Sequence, residues 1–133
     1  MIKAVKISLV VALFATTFSV RAQTNPPQAA EEEAVRRQEA TITLHNKLAA
    51  AQDAQSKGFL VDAAKLYQEA VSLFPRVGTG ATTVEMEKKA AVSGLVDVRL
   101  QLAQAAQQRG SLTEANELVT SALKLDPKSE PLL

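Results

Sequence analysis

An all-α fold is what this sequence predicts, and three observations predict it. Alternation of apolar and polar residues with period two runs nowhere over a strand's length. From Ala29 to Lys57 neither proline nor glycine interrupts the chain. A 34-residue unit occurs twice: residues 44–77 align with 96–129 without a gap, and 12 of the 34 positions are identical. A fixed internal period marks stacked supersecondary units.

The first residues stand apart from the fold. Lys3 and Lys6 precede an uncharged run from Ile7 to Val20, and Val20-Arg21-Ala22 offers a cleavage site after Ala22. That order is a secretory signal peptide over residues 1–22. A spanning helix would need about 20 apolar residues. Loss of Lys3, Lys6 and Arg21 leaves 12 basic residues against 14 acidic ones. With no net basic balance, one tyrosine and no tryptophan, the mature chain lacks the composition of a nucleic-acid binder. It has no cysteine, so it folds without disulfides and has no lipidated cysteine at the junction. The expected destination is an exported one, the periplasm or the outer membrane.

Residues 23–30, QTNPPQAA, read as a linker, and the helical domain spans 31–133. Glu31, Glu32 and Glu33 suit a helix N-terminus, where the macrodipole is positive. Val35, Ile42, Leu48, Ala51 and Ala54 mark the apolar stripe of a helix of roughly 30 residues, which Gly58 ends as its C′ residue. A second helix runs from Leu60 to Phe74 and stops at Pro75. Residues 76–83, RVGTGATT, are a loop by composition. Thr82 with Glu85, and Ser111 with Glu114, form capping boxes for a third helix to Arg109 and a fourth to Leu125.

The identities shared by the two units are mostly small or punctuating residues. Ala51, Gly58, Ala63, Ala70 and Pro75 reappear as Ala103, Gly110, Ala115, Ala122 and Pro127, with Tyr67 at an aromatic position of the first unit only. Antiparallel helices approach at about 8–10 Å only where the contact residues are small. This pattern resembles the tetratricopeptide repeat (TPR). The resemblance implies two antiparallel helix hairpins with elongated first helices. Three features depart from it: Ala50-Ala51 and Leu102-Ala103 replace the usual Leu-Gly pair, Val119 replaces the aromatic, and residues 78–95 separate the units.

The order of signal peptide, linker, EEEAVRRQEA, repeat, loop, Ala-rich helix and repeat also resembles the N-terminal helical extension of bacterial secretin-type outer-membrane proteins of type II secretion or type IV pilus systems. That resemblance implies protein partners in the cell envelope, and membrane contact only through a partner or further domains. The fourth helix is expected to keep a flank that the first helix, another chain or further residues would cover.

No residue pattern announces chemistry. His45 is the only histidine and stands without a matched ligand set. Gly78-Thr79-Gly80 lacks the lysine of a phosphate loop. No nucleophile sits at a motif spacing from a base, and no cofactor is expected. The TPR resemblance implies a peptide-binding face on the first helix of each unit: His45, Leu48, Gln52, Gln55 and Ser56, then Asp97, Leu100, Gln104, Gln107 and Gln108. Glutamine amides both donate and accept, which suits an extended peptide backbone. Phe59, Tyr67 and Phe74, at helical spacing, read as core. The function expected is therefore a non-catalytic interaction module, docking into a secretin-like complex or acting as a free-standing scaffold that holds peptides.

Overall fold

The computed structural model describes residues 26–128, and the expected signal peptide lies outside them. Among the described residues there is helix and no strand. Five helices follow in order: α1 (Pro26–Ser56), α2 (Leu60–Ser72), the single turn α3 (Phe74–Val77), α4 (Thr82–Gln108) and α5 (Leu112–Leu125).

Several boundaries differ from those expected, each for a local reason. α1 begins at Pro26, so residues 26–30 are helix and not linker. Proline fits the first turn, where its missing N–H has no intrahelical partner anyway. Glu31, Glu32 and Glu33 consequently lie beyond the first turn, where Glu32 pairs with Arg36 at 3.7 Å and Glu33 with Arg37 at 2.9 Å. Pro75 does not end helical structure. It removes one rung of the ladder, and the chain restarts as α3 with Leu73 serving as both C-cap and N-cap.

Neither capping box forms. Ala81 is the N-cap of α4 and Thr82 already lies inside the helix, while Ser111 caps α5 without a side-chain hydrogen bond. The acids take other partners: Glu85 accepts from Lys88 Nζ at 3.2 Å, and Glu114 from Arg109 at 3.4 Å. The loop over 78–81 is held instead by Lys88, whose Nζ donates to the Gly78 carbonyl at 2.7 Å and lies 5.8 Å from the centre of the Phe74 ring.

α1 packs on α2, α4 on α5, and α2 lies against α4, with a smaller contact between α1 and α4. Both pairs are antiparallel, as two locks show. Lys47 Nζ meets Glu69 Oε2 at 2.6 Å, and Arg99 Nη1 meets the Ser121 carbonyl at 3.1 Å. In each lock the partners stand 11 residues on either side of the turn glycine, Gly58 (47 to 58, 58 to 69) or Gly110 (99 to 110, 110 to 121). The turns themselves match. Gly58 and Gly110 have φ of 80° and 79°. The next residues, Phe59 and Ser111, both donate back to the helix at 2.9 Å, to Ala54 and Ala106. These are Schellman ends, in which a left-handed glycine returns the chain.

The core is built largely of alanine. Ala51, Ala63, Ala70, Ala91, Ala106 and Ala122 are fully buried, and Leu44, Leu95 and Val98 are the largest side chains wholly inside. One cluster joins α1 and α2 with Val84, Ala91, Leu95 and Val98 of α4. The second pair is thinner: Ala122 is the only buried residue of α5, and Ala115 is only half-buried. The stripe of α1 runs as expected through Leu48, Ala51 and Ala54 but differs in its first half. Ala40, Leu44, Leu48, Ala51 and Ala54 face inward, while Val35 and Ile42 are 53% and 55% exposed. Phe59 likewise faces solvent, whereas Tyr67 is buried and Phe74 packs against the core.

Candidate functional site

Tyr67 is the largest group at the junction of α1, α2 and α4, and one of the expected face residues, Gln55, binds its hydroxyl. α2 presents Tyr67 toward α4, and Gly94 is the residue of α4 that makes room. A Cβ at Gly94 would lie 2.7 Å from the phenol oxygen and closer still to the ring. The hydroxyl donates to Gln55 Oε1 of α1 at 2.7 Å. Burial raises the phenol's pKa above its ordinary 10.0, and the nearby Asp97 carboxylate adds to the shift by opposing a second negative charge. Tyr67 is therefore a neutral donor in the physiological range, and Gln55 keeps its NH₂ for another acceptor.

Away from this cluster the expected face divides. His45 Nδ1 lies 2.8 Å from Glu87 Oε1, a ring N–H to carboxylate contact that ties α1 to α4. Ser56 turns back on its own helix and donates to the Asp53 carbonyl at 2.8 Å. Gln52, Asp97, Gln104, Gln107 and Gln108 are exposed, Gln55 is half-buried, Leu48 is buried and Leu100 partly so. The structure thus bonds Gln55 to Tyr67 and leaves Gln52, Gln104, Gln107 and Gln108 open to solvent. Leu48 belongs to the interior and not to a binding face, because it sits on the side of α1 that meets α2.

Arg99 carries more of the junction than the sequence announces. Besides its bond to Ser121 of α5, its Nη2 donates to Gln68 Oε1 of α2 at 2.6 Å, so one side chain fastens α4 to both neighbours. Burial lowers its pKa below the ordinary arginine range. In the first pair the repeat-equivalent Lys47 reaches Glu69, whose carboxyl is held below its ordinary pKa chiefly by that hydrogen bond. A basic residue at 47 and again at 99 was the available signal for these locks. Glu87 and Lys88, by contrast, lie in the segment between the aligned units, outside the identities that mark the repeat.

A separate groove of about 560 Å³ runs between α1 and the α2–α3 corner, lined by Glu33, Arg36, Glu39, Thr43, Pro75 and Arg76 among others. It contains none of the expected face residues, and its acids and arginines balance. Among the described residues no group of three or more histidine or acidic side chains converges as a metal-ligand set, and no helix is long and apolar enough to cross a membrane. No family model, no curated protein and no solved structure matches the chain.

Proposed function

We propose that this chain is an exported, non-catalytic protein-interaction module built of two TPR-like hairpins, and that it docks protein partners of the cell envelope as the N-terminal assembly segment of a secretin-like complex. The observation that favours it is the repeated unit itself: two hairpins with matching glycine turns and equivalent basic locks at 47 and 99. Such rigid pairs present fixed side chains on a shared surface, and binding then rests on shape and burial with no covalent step. The signal-like first 22 residues favour a periplasmic or outer-membrane setting.

Affinity capture tests this reading. The tagged full chain, expressed in a Gram-negative host with a type II secretion or type IV pilus system, should recover a component of that envelope machinery. Recovery of none, with the chain exported and folded, would overturn it.

One observation favours a second reading, a free-standing peptide-binding scaffold: Gln52, Gln104, Gln107 and Gln108 are exposed amides on the first helices of the two pairs. Replacing Gln52, Gln104 and Gln107 by alanine should abolish binding of extended peptides while far-ultraviolet circular dichroism stays unchanged. Gln55 is left intact in that variant because it holds Tyr67.

A further inference from the structure

α2 and α5 are equivalent elements, 52 residues apart, but they are covered differently. α4 lies over the flank of α2. On α5 the corresponding flank carries Leu112, 66% exposed, with the half-buried Val119 and Leu123. Three contacts make the junction of α4 with α2 and α3 specific. Tyr67 fills the space left by Gly94. Arg99 donates to Gln68. Lys88 stands over Phe74.

Each of these contacts can be carried across by the repeat offset, because α1 and α4 are both continuous helices through the positions concerned. Subtracting 52 from the α4 residues gives Ile42, Lys47 and Arg36 of α1; adding 52 to Tyr67 and Gln68 of α2 and Phe74 of α3 gives Val119 and Thr120 of α5 and Asp126, its C-cap. All three pairs remain complementary. Tyrosine against glycine becomes valine against isoleucine, so the smaller residue on one side meets a larger one on the other. Arginine to glutamine becomes lysine to threonine, a donor and an acceptor again. Lysine over phenylalanine becomes arginine beside aspartate, opposite charges.

We infer that the flank of α5 docks α1 of a second copy of this chain, head to tail, in the manner in which α4 covers α2. Ile42 and Val119 then meet at the centre, with Arg36 and Asp126 at the rim. Ile42 is 55% exposed and waits on the outer side of α1. Lys47 keeps its bond to Glu69 while reaching Thr120, just as Arg99 holds Ser121 and Gln68 together. The junction is weaker than the internal one. Ala91, Leu95 and Val98, all buried in α4, correspond to Glu39, Thr43 and Asn46 of α1, so much of the new contact is polar and the association is reversible. A heterologous contact of this kind does not stop at two copies unless its rotation closes a ring.

The absence of cysteine makes introduced thiols unique reporters. Full chains carrying Ile42→Cys and, separately, Val119→Cys are purified, mixed and oxidised mildly. The mixture should give several-fold more disulfide-linked dimer than either variant alone, and the yield should rise with concentration. Adding Arg36→Glu to the first partner should lower that yield, and adding Asp126→Lys to the second should restore it. Equal cross-linking by one variant alone would show a symmetric α1–α1 or α5–α5 pair and overturn the inference, as would a mixture that links no better than the separate samples. Either failure leaves the envelope-docking role standing, since affinity capture reports on a different contact.

Discussion

At the scale of single residues, the fold turns on one exchange of volume. Tyr67 supplies a ring to a core otherwise made of alanine and aliphatic side chains, and Gly94 is the void that receives it. A glycine in a helix interior costs about 1 kcal/mol relative to alanine, so in isolation Gly94→Ala would stabilise α4. Here the added methyl group meets the rigid ring of a side chain that is 2% exposed and fixed at its far end by Gln55. Overpacking of this kind costs about 1–3 kcal/mol, and the ring cannot swing aside without giving up its hydrogen bond. The clash wins. Urea denaturation of Gly94→Ala should show a lower midpoint than the native chain. In the Tyr67→Val background, which leaves the smaller residue found at Val119, the same Gly94→Ala change should be neutral or stabilising. Additive effects in the double variant would refute the contact.

At the scale of elements, the glycine turns and the alanine crossings were legible because their causes are local. A left-handed residue after a helix asks for glycine whatever surrounds it, and the identical spacing of Gly58 and Gly110 from their alanines fixes two hairpins. Both glycines have open space where a Cβ would stand, so substitution would cost backbone strain alone. Gly58→Ala and Gly110→Ala should each lower stability by about 1 kcal/mol, and by equal amounts, in equilibrium unfolding followed by circular dichroism. A clear inequality would show that the two turns are not equivalent. What was not legible depended on distant partners. The phase of the first half of α1 escaped because, in an Ala-rich helix, Val35 and Ile42 stand out as apolar while Ala40 does not; only the position of α2 decides which side is inside. Lys88 and Glu87 draw their roles from Gly78 and His45, which the sequence does not place beside them. The candidate site fared similarly: Gln55 found a partner, but in a tyrosine assigned only to packing.

Across the whole molecule, burial falls away toward both ends, and dynamics should follow burial. Residues 26–39 of α1 are all exposed, a helical arm about 20 Å long at 1.5 Å per residue, held by i,i+4 pairs such as Glu33–Arg37 that contribute about 0.3–0.5 kcal/mol each. α5 is intermediate, since Ala122 alone of its residues is buried while Arg99 of α4 anchors it at the Ser121 carbonyl. The centre, where Leu44, Tyr67, Leu95 and Val98 meet, holds the largest buried side chains. Local opening costs less where fewer apolar groups are exposed by it. Native-state hydrogen exchange on the dilute chain should therefore rank the segments: amides of 30–39 exchange fastest, those of 115–125 next, and those of 44–54, 63–70 and 91–98 slowest. Raising the protein concentration carries the argument one step further. If α5 receives α1 of a neighbouring copy, protection should grow at 115–125 and at 36–47 together, while the central segments stay unchanged. Gain at one of these segments without the other would contradict a head-to-tail contact, because that junction buries both surfaces at once.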